Sequence, residues 1–136
     1  MQEQRAKYKT ELHLVDCFHS KWKYAITELT GEMFLSYPSH LLQKIFLGKN
    51  KISSVHPETF HYLKSLHLLD LSNNSITLLY PKIFTQMSGL LRLDLDHNHI
   101  DTINQDAFIG LSHLDELILS NNYLTSIKPC MFMGLN

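Results

Sequence analysis

Three short stretches of this chain carry side chains whose type and spacing could do chemistry. The first is Asp96-His97-Asn98-His99-Ile100-Asp101, a His-x-His flanked by carboxylates, a grouping that can bind zinc. No further ligands follow at a spacing that would complete a four-ligand set, so the stretch reads as an exposed turn around a structural Asn98. The second is Asn73-Asn74-Ser75, which has the form of an N-glycosylation sequon and makes Asn73 a candidate acceptor. The third is Cys130, which has no partner nearby in sequence and reads as a partly buried small apolar residue rather than a nucleophile. The nine histidines are scattered. There is no glycine-rich phosphate loop and no Ser-His-Asp grouping beyond what a repeat produces. No catalytic residue, metal ligand or cofactor is therefore assigned, and the chain is not read as an enzyme.

The elements that must position these residues are set by an internal repeat. Ile45-x-Leu47-x-x-Asn50, Leu69-x-Leu71-x-x-Asn74, Leu93-x-Leu95-x-x-Asn98 and Leu117-x-Leu119-x-x-Asn122 recur every 24 residues. Leu42, Leu66, Leu90 and Leu114 open the units, and Ile52, Ile76, Ile100 and Leu124 follow the Asn by two. Val55, Leu79, Ile103 and Ile127 come next, then Phe60, Phe84, Phe108 and Phe132, and Leu63, Met87, Leu111 and Leu135 close the set. Alternation with period two sends both leucines of each Leu-x-Leu to one side of a short strand. Units at fixed phase stack their strands in parallel, and stacking supplies the core that one unit cannot build alone. The Asn leaves the strand where its amide can bond backbone groups of adjacent turns.

These positions resemble the leucine-rich repeat pattern over residues 42–136. The resemblance implies an α/β repeat solenoid, a curved array with a short parallel sheet on its concave face. It also implies an asparagine ladder at the four matching positions. The phenylalanines would form a second ladder inside the convex side. Pro57, Pro81 and Pro129 precede the Phe by three, with Gln105 in the third unit, so irregular or single-turn helical convex segments are expected. The expected units are 42–65, 66–89, 90–113 and 114–136. Residues 8–41 read as a degenerate first repeat or N-terminal cap, with Leu12-x-Leu14-x-x-Cys17 matching the strand signature and Phe34 as its spine aromatic. Its insertion is richest in Lys21, Trp22, Lys23 and Tyr24, and residues 1–7 read as a frayed end.

Alternation places the positions beside the buried leucines on the concave face. They are Lys44, Phe46 and Gly48; Leu68, Asp70 and Ser72; Arg92, Asp94 and Asp96; Glu116, Ile118 and Ser120. The stripe between the strand leucines reads Phe46, Asp70, Asp94, Ile118, with apolar ends and a carboxylate middle. As a binding surface it would favour a protein ligand with a basic patch. The bland alternative is a solvated face, since exposed apolar residues are common on any protein.

Composition is globular, with 44% hydrophobic and 18% charged residues. A formal net charge of −1 gives no general pull toward nucleic acid, and no apolar run is long enough to enter a membrane. Charge is nonetheless uneven: residues 1–51 hold eight Lys/Arg and five Asp/Glu, and residues 90–136 hold two and six. The start lacks the apolar core of a secretory signal, and the end falls where a fifth unit would begin. The chain thus reads as a fragment, whose open repeat ends could self-associate.

Regular 24-residue units are similar to those of animal extracellular proteins, among them Toll-like receptors, Slit-type guidance proteins and hormone-receptor ectodomains. That resemblance implies protein binding by an extracellular or cell-surface receptor, and signalling. The alternatives are a cytoplasmic adaptor and a substrate-recognition segment of a larger enzyme.

Overall fold

The computed structural model describes residues 11–13 and 26–135. The expectations for residues 1–7, for Cys17 at the ladder position and for the insertion around Lys21, Trp22, Lys23 and Tyr24 lie outside the described residues. The elements in chain order are β1 (Glu11–His13), β2 (Glu28–Leu29), a 3₁₀ turn (Gly31–Phe34), β3 (Lys44–Phe46) and β4 (Ser54–Val55). Then follow β5 (Leu68–Asp70), β6 (Leu78–Leu79), β7 (Arg92–Asp94), β8 (Thr102–Ile103) and β9 (Glu116–Ile118).

The fold is a parallel-strand solenoid. One sheet runs β1-β3-β5-β7-β9, all neighbours parallel, and its register pairs Ile45 with Leu69, Leu69 with Leu93 and Leu93 with Leu117. The same register pairs Leu12 with Ile45, so the strand signature of the first unit enters the sheet in phase despite its longer spacing. On the convex side two small parallel pairs form, β2 with β4 and β6 with β8, joining Leu29 to Val55 and Leu79 to Ile103. Periodicity marks Val55, Leu79 and Ile103 as core positions, and stacking them in register also aligns their backbones closely enough to pair.

The core follows the repeat. Positions 42, 45, 47, 52, 55, 60 and 63 are buried, and so are their equivalents 24 and 48 residues on. In the last unit Leu114, Leu117, Leu119, Leu124 and Leu135 are only partly buried, while Ile127 is 77% and Phe132 37% exposed. The spine is a run of five rings, Phe34, Phe60, Phe84, Phe108 and Phe132, with centroids 5.8–6.4 Å apart; the three later pairs are stacked. Such offset stacking lets each ring bury its faces against its neighbours.

The asparagines form the other ladder. Asn74 Nδ2 donates to Leu71 O in its own unit and to Leu47 O one unit earlier, both at 3.0 Å. Its Oδ1 accepts the N–H of Ile52 at 3.0 Å. Asn98 repeats this with Leu95 O, Leu71 O and the Ile76 N–H, and Asn122 with Leu119 O, Leu95 O and the Ile100 N–H. Leu47 O, Leu71 O and Leu95 O each accept from two successive asparagines, so the ladder is continuous. Backbone groups that the curve of the chain would leave unpaired are satisfied this way.

Among the described residues the only helical element is the 3₁₀ turn that ends on Phe34. The other convex segments are chains of tight turns, as in His61 N–H to Glu58 O and Leu63 N–H to Phe60 O. Of the two convex forms expected, irregular or single-turn helical, the segments at Pro57 and Pro81 take the irregular one. One cause is local: Lys82, after Pro81, takes φ 59°, which ends any right-handed helix at its start. Side chains stitch these turns to the previous unit, with buried Thr59 Oγ1 donating to Leu29 O at 2.8 Å and Asn104 Nδ2 to Leu79 O at 2.9 Å.

Candidate functional site

The concave surface is built by the register of the large sheet. Lys44, Leu68, Arg92 and Glu116 lie side by side in one row, and Phe46, Asp70, Asp94 and Ile118 in the next. Glu116 is exposed and the other seven are half-buried, as is Asp96 one row further on. The sheet thus brings together the eight strand positions that alternation assigned to this face.

One position departs from expectation. Gly48 is buried, because the Asp70 carboxylate and Ser72 lean over it. A Cβ there would stand 3.1 Å from Ser72 Oγ and 3.2 Å from Asp70 Oδ1, so any larger residue would oblige these side chains to shift by a few tenths of an ångström.

The carboxylates have structural partners that sequence alone did not reveal. Asp70 Oδ1 accepts the Ser72 N–H at 2.9 Å, and Asp94 Oδ1 accepts the Asp96 N–H at 3.0 Å. Each closes the turn at its strand exit, the local side-chain-to-backbone bond that Asp makes readily. Arg92 sits between Asp94, at 3.4 Å, and Glu116, which it contacts directly. Asp96 is held by Asn121 Nδ2 at 2.9 Å and by His97 Nδ1 at 2.6 Å. The hydrogen bonds from Asn121 first, and then His97, hold its carboxyl below the ordinary carboxylate range. Of the four concave carboxylates, Asp70 is the one with no cation or ring nitrogen against it among the described residues.

These contacts separate structure from surface in a testable way. Leu95→Ala is expected to cost about 2–5 kcal/mol, as for a fully buried leucine. Asp94→Ala is expected to cost about 1 kcal/mol through the lost turn bond, not zero as a purely solvated carboxylate would. Equal losses of thermal stability in the two variants would show that the strand phase is wrong.

The remaining chemistry-bearing stretches resolve as follows. His99 stacks on Tyr123, with ring centroids 5.4 Å apart, while His97 turns to Asp96. Among the described residues no three His, Cys, Asp or Glu side chains converge as metal ligands would. Cys130 is exposed, not partly buried; it occupies a turn with φ 63°, and the equivalent Glu58 and Lys82 of earlier units are exposed too. Asn73 is exposed at the strand exit with φ 53°. Sequence reasoning missed two open furrows between convex segments. One of about 600 Å³ is lined by Glu32, Leu35, His56, Glu58 and Tyr62, and one of about 270 Å³ lies between Pro57 and Pro81. Among the described residues no helix is long and apolar enough to cross a membrane.

The sequence pattern of the family described as "Leucine rich repeat" matches residues 40–100 and 88–136. No curated protein sequence matches the chain. Among solved structures, the TLR13–ssRNA13 complex is similar, with a TM-score of 0.78 and 27% identity over 91% of this chain and 16% of the receptor chain. The glycosylated Toll–Spatzle complex of Drosophila gives a TM-score of 0.67 and 28% identity over 83% of this chain and 15% of the other. The chain therefore spans about one sixth of the length of these relatives. One of them is solved with single-stranded RNA, so the expectation of no nucleic-acid partner, drawn from net charge, finds no support here. With both ladders, the parallel sheet and the family pattern over residues 40–136 in agreement, the chain belongs to the leucine-rich repeat family, as an array of the animal receptor type.

Proposed function

We propose that this array is a protein-binding part of an extracellular or cell-surface receptor ectodomain and that it meets its ligand on the concave face. The observation that carries this reading is the stripe Phe46–Asp70–Asp94–Ile118, held in register across four parallel strands and only half-buried. A rigid sheet presenting two apolar residues around carboxylates suits a protein surface with an apolar contact and a basic group. Asp70 is the residue best placed for that basic group, since Asp94 and Glu116 already share Arg92 and Asp96 is held by Asn121 and His97. A polyanion would meet repulsion from the same carboxylates. The domain limits are proposed as in the repeat pattern, with residues 8–41 as a first unit of irregular length and the exposed Ile127 and Phe132 as a surface for a second copy.

The reading is tested with a photo-crosslinking residue placed at Phe46 or Ile118 and, as a control, at convex Tyr62. Each form is exposed to cell surfaces and the adducts are identified. Protein adducts at 46 and 118, competed by unlabelled chain and absent at 62, are expected. Adducts confined to 62, or nucleic acid as the crosslinked partner, would refute concave protein binding.

A further inference from the structure

We propose that Asn73 carries an N-linked glycan, and that this glycan shields the rim where the strands leave the concave sheet. The proposal rests on the receptor-type reading only in requiring that the chain pass through a secretory pathway. The sequon Asn73-Asn74-Ser75 makes its first asparagine the acceptor, and the structure leaves that side chain accessible while burying its neighbour. Asn74 is buried in the ladder, its Nδ2 bound to Leu47 O, Leu71 O and Ser72 O, so it cannot carry a sugar without dismantling the array. Asn73 is exposed, and its side-chain amide makes no hydrogen bond. Only its backbone is engaged, through its N–H to Asp96 O at 2.8 Å, which a modification at Nδ2 leaves untouched.

The same turn position recurs in neighbouring units as Lys49, His97 and Asn121, each at φ near 50°. All four stand on one rim at successive turns. Asn121 shares the backbone of Asn73 but is followed by Asn122 and Tyr123, which is no sequon, and its Nδ2 is committed to Asp96. Asn73 is thus the one rim position that combines a sequon with a free amide. In the transfer, the Asn73 nitrogen bonds the anomeric carbon of a pyrophosphate-linked lipid oligosaccharide. The carbon–oxygen bond to the lipid pyrophosphate breaks, that pyrophosphate leaves, and the amide gives up one proton. A glycan there stands over the flanking Lys49 and His97 positions. It leaves the stripe from Phe46 to Ile118 open from the opposite rim, where His67, Leu91 and Asp115 are exposed.

The full chain is expressed behind a secretion leader, and both lysate and medium are analysed, so that a poorly folding variant is still read. The expected result is a single upward step in apparent mass that peptide N-glycosidase removes and that is absent in Asn73→Gln and in Ser75→Ala. An unshifted wild-type chain, or a step that survives Asn73→Gln, overturns the assignment. Carbethoxylation of His97 should be several-fold slower in the glycosylated chain than in Asn73→Gln, with His67 unchanged. Equal rates at His97 overturn the shielding.

Discussion

Phe84→Ala is expected to leave the array largely unfolded at 37 °C or to split it into independently melting halves. Phe84 is 1% exposed and lies between Phe60, at 5.8 Å and 15°, and Phe108, at 6.2 Å and 5°. Truncating such a ring removes its buried surface and leaves a cavity that stacked turns cannot readily close, a cost of about 3–5 kcal/mol. A domain of ordinary stability has about 5–15 kcal/mol to lose. In a solenoid the loss also falls on both neighbouring interfaces, because each unit is stabilised mainly by the ones beside it. Phe132→Ala is the control: that ring is 37% exposed and stacked on one side only, against Phe108. Urea denaturation followed by circular dichroism should place the Phe84→Ala midpoint far below that of Phe132→Ala. Coincident midpoints would mean that the spine does not couple the units.

The second large effect is expected at Asn98, with a loss of about 2–4 kcal/mol on replacement by Ala. Asn98 is 2% exposed, and its amide serves four backbone groups, the Ile76 N–H and the carbonyls of Leu71, Leu95 and, at 3.4 Å, Asp96. Leu71 O and Leu95 O each keep one asparagine, Asn74 and Asn122 respectively, so they lose only half of their bonding. The N–H of Ile76 loses its acceptor outright, and a buried donor without a partner costs about 1–3 kcal/mol by itself. Asn98→Asp should be worse than Ala near neutral pH. A carboxylate could still accept from Ile76, but it would face two carbonyl oxygens while buried. Asn122→Ala should cost less, since Asn122 is only half-buried and water can reach the groups it leaves. Equal losses at Asn98 and Asn122, measured by thermal melting, would contradict the ladder as the source of this stability.

Most of the fold was legible in the sequence, and for a specific reason. Side-chain alternation and turn chemistry are local, and repetition at a constant 24 residues converts a local phase into a global register. Leu69 and Leu93 point inward because alternation sends their half-buried neighbours Leu68, Asp70, Arg92 and Asp94 to the other face. They then pair across β5 and β7 because nothing between them changes the spacing. Convex backbone pairing was not legible: β6 and β8 are two residues long, and periodicity identifies such residues as core without saying that their backbones meet.

The candidate surface divides along the same line. By itself the sequence determined the family, the period, both ladders and which side chains share the concave face. It also marked Asn73, since a sequon is a property of three consecutive residues. The tertiary structure alone decided what each of those side chains is already doing. Arg92 and Glu116 are 24 residues apart and meet only when their units stack, as do Asp96 and Asn121. Asp70 leans over Gly48 because the previous unit offers no side chain at that place. Whether a concave carboxylate is free for a partner therefore depends on side chains one turn away, at distances that no pattern within a single unit can encode.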